Sequence, residues 1–274
     1  MSAPVVTFLS DYGYGDEFAG VCRGVLASRC PQARIIDMTH GVPRHDVRAG
    51  ALMLRSALAF MPAGIHLAVV DPTVGATGEG ARRAVAVLVA EQDRVLVGPD
   101  NGLLALALVR FGGPIEAVDV GRSPYRLEPL SATFHGRDIF APVAAALAGG
   151  APLADVGEPM PVEDLRGLEL PEAHLGPDGL LVHALTLDRF GNVILDAEHH
   201  QLSAADLRLG STLSVRAAGR EHPARYAGTF ADVPPGGLLL YEDAQRMAAL
   251  AVNRGSAAET LGVARDDALL LRPR

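Results

Sequence analysis

At 274 residues the chain is long enough for two domains or one large one, and with 49% apolar residues either buries a substantial core. Its 24 basic against 32 acidic residues leave a net charge of −8, which offers no cationic surface to a phosphate backbone and argues against nucleic acid as a partner. Only Cys22 and Cys30 are present, so neither a disulfide framework nor a cysteine zinc site is indicated, and a reducing cytoplasm fits.

The N-terminus runs into an apolar strand within a few residues and does not read as a secretory signal. No apolar run approaches the length of a membrane span. Val5 to Leu9 reads as a buried strand that ends in a glycine-loosened loop, Ser10-Asp11-Tyr12-Gly13-Tyr14-Gly15-Asp16, carrying two carboxylates. Apolar spacing predicts helices over Glu17 to Arg29 and Asp46 to Phe60, the second stopped by Pro62, with a strand over Ala33 to Asp37 between them. Ile65 to Val70 is a third strand and ends on Asp71-Pro72-Thr73-Val74-Gly75. Ala84 to Ala90 and Val95 to Gly98 are two more, the latter followed by Pro99-Asp100-Asn101-Gly102 and a helix over Leu103 to Phe111. Strands alternating with helices predict an α/β domain with a largely parallel sheet, whose strand-end loops form one polar rim.

Ser131 to Pro142 places an imidazole, a guanidinium and a carboxylate within four residues, His135 to Asp138, before a buried-looking helix over Ile139 to Ala148. A polar cluster at the mouth of a helix is where open α/β sheets place chemistry, although helix capping by Asp138 accounts for the same residues. The texture changes after Gly149-Gly150. Residues 151 to 178 hold five prolines and read as a linker. Beyond it, short alternating segments at Leu180 to Leu187, Asn192 to Leu195, Leu213 to Arg216 and Leu238 to Tyr241 predict a small antiparallel β-barrel or sandwich. The expected division is an N-terminal α/β domain over residues 1–165 and a C-terminal β-barrel domain over 166–274.

Asp11, Asp16, Asp71 and Asp188 fall at or just after the carboxyl ends of predicted strands, where a carboxylate accepts from ribose hydroxyls or pairs with an ammonium group. Each alone reads equally as a helix cap; four together do not. Asp188 to Asn192 adds an aromatic ring, Phe190, and the amide of Asn192, which matches a purine edge. Phe230 offers a second aromatic in a loop. Histidines at 40, 45, 135, 199 and 200 invite a metal reading, but His40 and His45 are separated by Pro43 and are not a helical i, i+4 pair. No nucleophile elbow, P-loop or dinucleotide fingerprint is present.

Ser10-Asp11-Tyr12-Gly13 with Asp16, Asp71-Pro72 with Val74-Gly75, Gly98 to Leu103, Thr133 to Pro142, Phe190-Gly191-Asn192 and Asn253-Arg254-Gly255 occur in an order and separation that resemble the S-adenosyl-L-methionine hydroxide adenosyltransferases, relatives of fluorinases and chlorinases. The resemblance implies an N-terminal α/β domain and a C-terminal β-barrel, assembled as a homotrimer with each pocket between neighbouring subunits. It implies conversion of S-adenosyl-L-methionine and water to adenosine and L-methionine, with no cofactor and no metal. The water-activating Asp, Arg and His of that family match Asp71, Arg82 and His135 here. Halogenating relatives lack that trio, so its presence favours water as the nucleophile.

By the same resemblance Asp11 meets the ribose hydroxyls, Asp16 and Asp188 lie near the methionine amino group, Asn192 and the Arg254 backbone meet the adenine edge, and Phe190 and Phe230 form apolar walls. Two departures stand out. Ala76 to Ala81 lengthens the loop before the arginine pair and leaves Arg82 and Arg83 as alternatives; and Ala244 stands where a serine usually contacts the methionine carboxylate. A halogenase, a non-catalytic binder of the same ligand, and a metallohydrolase using His40, His45 and Asp71 are the rival readings.

Overall fold

The computed structural model describes residues 3–274, apart from the side chain of Glu79. The chain divides into two compact units, one up to Leu168 and one from Glu169 onward. The first contains β1 (Val5–Ser10), α1 (Phe18–Arg29), β2 (Arg34–Thr39), α2 (Val47–Leu58), β3 (Ile65–Val69), β4 (Ala84–Val89), β5 (Val95–Pro99), α3 (Ala105–Arg110), β6 (Pro114–Asp119), α4 (Ala141–Ala148) and β7 (Glu158–Met160). They build a seven-stranded sheet in the order β2-β1-β3-β5-β4-β6-β7.

Strands β2, β1, β3 and β5 pair in parallel. From β5 outward the pairing is antiparallel, because β4 and β5 are joined by a tight turn through Gln92 and Asp93, both at positive φ, rather than by a crossover helix. Alternating residues of the central strands feed two cores. Phe8, Leu67 and Val69 face α1 and α4, while Leu9, Ala68 and Val70 face α2 and α3, as expected for a sheet buried on both sides. Helix α4 is apolar nearly all round and buried to match. The proline-rich stretch after Gly150 is not all linker: β7 adds to the sheet edge beside β6, and Asp100 accepts from the Arg166 backbone at 2.8 Å.

His66 sits in the middle of β3 with no exposed surface. Its Nε2 lies 3.0 Å from an Arg94 nitrogen, and an arginine only donates, so the ring proton is on Nδ1 and is given to Thr7 Oγ1 at 2.8 Å. Burial first, then the Arg94 charge, pushes the imidazole pKa down to about 3. The unfolded chain takes up this proton near the ordinary His value and the folded chain does not, so stability falls as pH drops from about 6.5 toward 3. The group's share is about 2 kcal/mol between pH 7 and 5. Urea unfolding at those two pH values checks this: His66→Gln loses that pH-dependent share, and an unchanged slope in the variant contradicts it.

The second unit contains β8 (His174–Gly176), β9 (Gly179–Leu187), β10 (Val193–Glu198), α5 (His199–Ala204), β11 (Thr212–Ala217), β12 (Arg220–Tyr226), β13 (Leu238–Glu242), β14 (Met247–Val252), α6 (Ala257–Leu261) and β15 (Ala268–Pro273). Strands run β10-β14-β13-β12-β11-β15-β9, and pairing of β9 with β10 closes the ring, with β8 appended to β9. The result is a seven-stranded barrel, antiparallel except at β12 and β13. Its interior is filled by alternating residues such as Leu180, Val182 and Ala184 on β9 and Leu269 and Leu271 on β15. The α/β-plus-barrel fold class expected from the sequence is therefore the one found. No helix among the described residues is long and apolar enough to cross a membrane.

Candidate active site

Three side chains distant in sequence meet at the carboxyl edge of the first sheet. Asp71 follows β3, Arg82 lies in the segment entering β4, and His135 immediately precedes a π-helical turn, Gly136–Phe140, that leads into α4. Arg82 Nε donates to both Asp71 oxygens at 3.0 and 3.1 Å, and its Nη2 makes a short contact with Oδ2. The same Nη2 lies 3.0 Å from His135 Nδ1. Both members of the ion pair are buried, and the guanidinium carbon lies 5.2 Å from the Phe140 ring centroid.

Because arginine has no acceptor, His135 Nδ1 accepts, and the neutral ring carries its proton on Nε2. Burial and then the Arg82 charge hold the imidazole pKa below its ordinary value, although Asp71 and Asp138 pull the other way. Asp138, for which helix capping is one of two sequence readings, is buried and caps neither the π-helical turn nor α4. It accepts from Ser131 N at 2.8 Å and from Arg137 at 2.6 and 2.9 Å, fixing the loop that precedes His135.

Asp71 and His135 open onto a cavity of about 430 Å³ whose walls also include Asp11, Asp16, Arg44 and His45. Asp11 Oδ2 accepts from the backbone of His45 at 2.9 Å. His45 holds φ at +65°, a conformation costly for a residue with a Cβ and one that persists where the surroundings enforce it. Glycine is required at 75, where at φ +74° a Cβ would lie 2.2 Å from the Ala132 carbonyl, and a Cβ at 136 would lie 2.0 Å from the Tyr12 hydroxyl and displace that ring. Sequence reasoning missed Arg44 and assigned His45 only to a metal reading. His40 points elsewhere, its Nδ1 2.7 Å from the buried Ser10 hydroxyl. Among the described residues no three His, Cys, Asp or Glu gather as metal ligands.

A second cavity of about 930 Å³ also reaches Arg82 and His135, and residues of the lengthened loop, Ala76, Thr77 and Ala81, form part of its wall. Arg83 turns to Asp164, with nitrogens 3.3 and 3.4 Å from its carbonyl and carboxylate oxygens. Of the two candidate arginines, Arg82 is the one beside Asp71 and His135.

In the barrel unit, Phe190, Asn192, Phe230, Val252, Asn253, Arg254 and Gly255 line a cavity of about 470 Å³. Phe190 is 69% exposed and Phe230 40%, an unusual display for large aromatic rings. Arg254 has φ +60°. Asp188 is not in the lining. Its Oδ1 accepts from the Phe190 and Asn192 backbones at 2.8 and 3.0 Å, and its Oδ2 from the Asn192 amide at 2.7 Å, so it closes the turn and orients that amide. Asn192 keeps its amide oxygen and one amide hydrogen for other partners.

Residues 6–157 match the model described as SAM hydroxide adenosyltransferase N-terminal domain, and residues 182–270 the corresponding C-terminal domain. A protein of Salinispora arenicola named (R)-S-adenosyl-L-methionine hydrolase is 46% identical over 98% of this chain and 97% of its own length. A Nocardia brasiliensis protein named Fluorinase is 29% identical over 93% of this chain and 92% of its own. The crystal structure of an uncharacterized conserved protein from Thermotoga maritima superposes with a TM-score of 0.89 at 32% identity, covering 97% of this chain and 99% of that one. With both domain models matched in order, the chain belongs to the SAM hydroxide adenosyltransferase family.

Proposed function

We propose that this chain is an enzyme that hydrolyses S-adenosyl-L-methionine to adenosine and L-methionine, and that its substrate is the (R) form named for the Salinispora relative. The observation that carries this is the meeting of Asp71, Arg82 and His135, with Asp71 and His135 at the wall of the 430 Å³ cavity and Arg82 bonded to both. Water attacks C5′, the new C5′–O bond forms as the C5′–S bond breaks, and the bonding pair leaves with sulfur as a neutral thioether. No acid is needed on the leaving group, so delivery and activation of the nucleophile are the main tasks. Arg82 and the Nε2–H of His135 only donate; they hold the oxygen as it gains hydroxide character. Asp71 is the acceptor of the three and takes the water proton. The sulfonium supplies the driving force, and no cofactor or metal enters the reaction.

Asp11 and Asp16 meet the ribose hydroxyls and the amino group, while Phe190, Asn192, Phe230 and the Arg254 backbone hold the adenine. Asp188 acts through the Asn192 amide that it orients. The two sets line separate cavities, one in each unit; the family resemblance implies that they are joined in a homotrimer, the first unit of one subunit facing the barrel of its neighbour. Free, buried Cys22 and Cys30 suit a cytoplasmic setting.

Purified protein incubated with each sulfonium epimer separately, with and without chloride and with and without chelator, tests the reading. Adenosine from the R epimer, unaffected by either addition, is expected. Chelator-sensitive turnover or 5′-chloro-5′-deoxyadenosine contradicts it, and so does binding without turnover.

A further inference from the structure

We infer that Arg44 receives the carboxylate of the substrate's amino-acid end and thereby sets the requirement for an intact amino acid there. The inference rests on the proposed function and deepens it. The cavity wall holds three acids, Asp11, Asp16 and Asp71, of which Asp71 is neutralised by Arg82. Such a wall attracts the ammonium and sulfonium charges of the substrate and repels its carboxylate unless a cation answers it. Arg44 is the one lysine or arginine among the described residues lining that cavity, and it has no ion pair or hydrogen bond among the described residues. Its side chain is exposed, and a guanidinium fork matches a carboxylate in two parallel hydrogen bonds.

The backbone beneath Arg44 is held in place. Its neighbour His45 donates to Asp11 Oδ2 at 2.9 Å and adopts φ +65°, Val42 N donates to Ser10 O at 3.3 Å, and Asp46 caps α2 by accepting from Ala49 N at 2.9 Å. The cation therefore springs from a loop tied directly to the Asp11 carboxylate, and the strained residue between Arg44 and the helix is the one that makes the tie.

The test compares wild type, Arg44→Gln and Arg44→Lys on S-adenosyl-L-methionine and on its decarboxylated analogue. Wild type is expected to prefer the intact substrate. Arg44→Gln raises KM for it about 30-fold, equivalent to about 2 kcal/mol, while kcat moves little, and the preference over the analogue disappears. Arg44→Lys restores part of the preference. Equal losses on both substrates, or no loss on either, overturn the inference. If wild type releases no adenosine, the hydrolysis reading falls, and calorimetric binding of L-methionine and 3-(methylthio)propylamine then decides on Arg44 separately. A preference for methionine that Arg44→Gln abolishes supports the role; a preference that survives, or is absent from wild type, overturns it.

Discussion

Replacing His135 by alanine lowers kcat about 10²- to 10³-fold, the usual effect of removing a donor aimed at a developing oxyanion. The ring is held by Arg82 through Nδ1 at 3.0 Å, so its Nε2–H is fixed in direction before substrate arrives. His135→Gln keeps an amide donor at roughly the same reach and falls between alanine and wild type. The pH profile separates this role from packing. Burial and the Arg82 charge keep the imidazole pKa below its ordinary value, so the ring stays neutral at pH 7, and the active form is lost only as pH falls through that lowered value. An acid limb present in wild type and absent from the alanine variant is expected. Wild-type kcat in His135→Ala at saturating substrate contradicts the role.

Arg82→Met removes both the nucleophile-holding donor and the partner of a buried carboxylate. The Asp71 and Arg82 side chains are 6% and 5% exposed, so the variant leaves a charge with little water to replace its partner. Breaking such a pair on one side costs roughly 3–5 kcal/mol, whereas removing both charges is far cheaper. Urea unfolding is expected to show the loss in Arg82→Met and partial recovery in the Asp71→Asn/Arg82→Met double variant, with turnover absent from both. Wild-type stability in the single variant contradicts the account.

The central strands were legible because β1, β3, β4 and β5 are apolar runs that end in turn residues, and the barrel strands β9 and β13 because they are short apolar segments bounded by Gly and Pro. Others were hidden by their own residues. Pro223 interrupts the pattern of β12, and the strand tolerates it because β13 pairs only with Arg225 and Tyr226, leaving that side of Pro223 without a partner strand among the described residues. β6 opens on a proline directly after two glycines, and β7 lies in a proline-rich stretch whose place in the sheet comes from pairing with β6. Strand direction beyond β5 depends on the turn at Gln92 and Asp93, where positive φ falls on residues that do not announce it.

The site was legible as types of residue at strand ends, and its assembly was not. Nothing in periodicity ties Asp71 to His135, and the choice between Arg82 and Arg83 is made by consecutive side chains leaving the segment before β4 toward Asp71 and toward Asp164. Asp188 read as a ligand-facing acid, yet its three hydrogen bonds run to its own turn. Arg44 left no pattern at all, because its place depends on the backbone of His45 and the reach of Asp11.

Attack by water at C5′ is tested most directly by running the reaction in ¹⁸O-labelled water and locating the label. One ¹⁸O in the 5′-hydroxyl of adenosine, with unlabelled L-methionine, is the expected result. Label in the amino-acid product, a nucleoside other than adenosine, or substrate recovered unchanged contradicts the account.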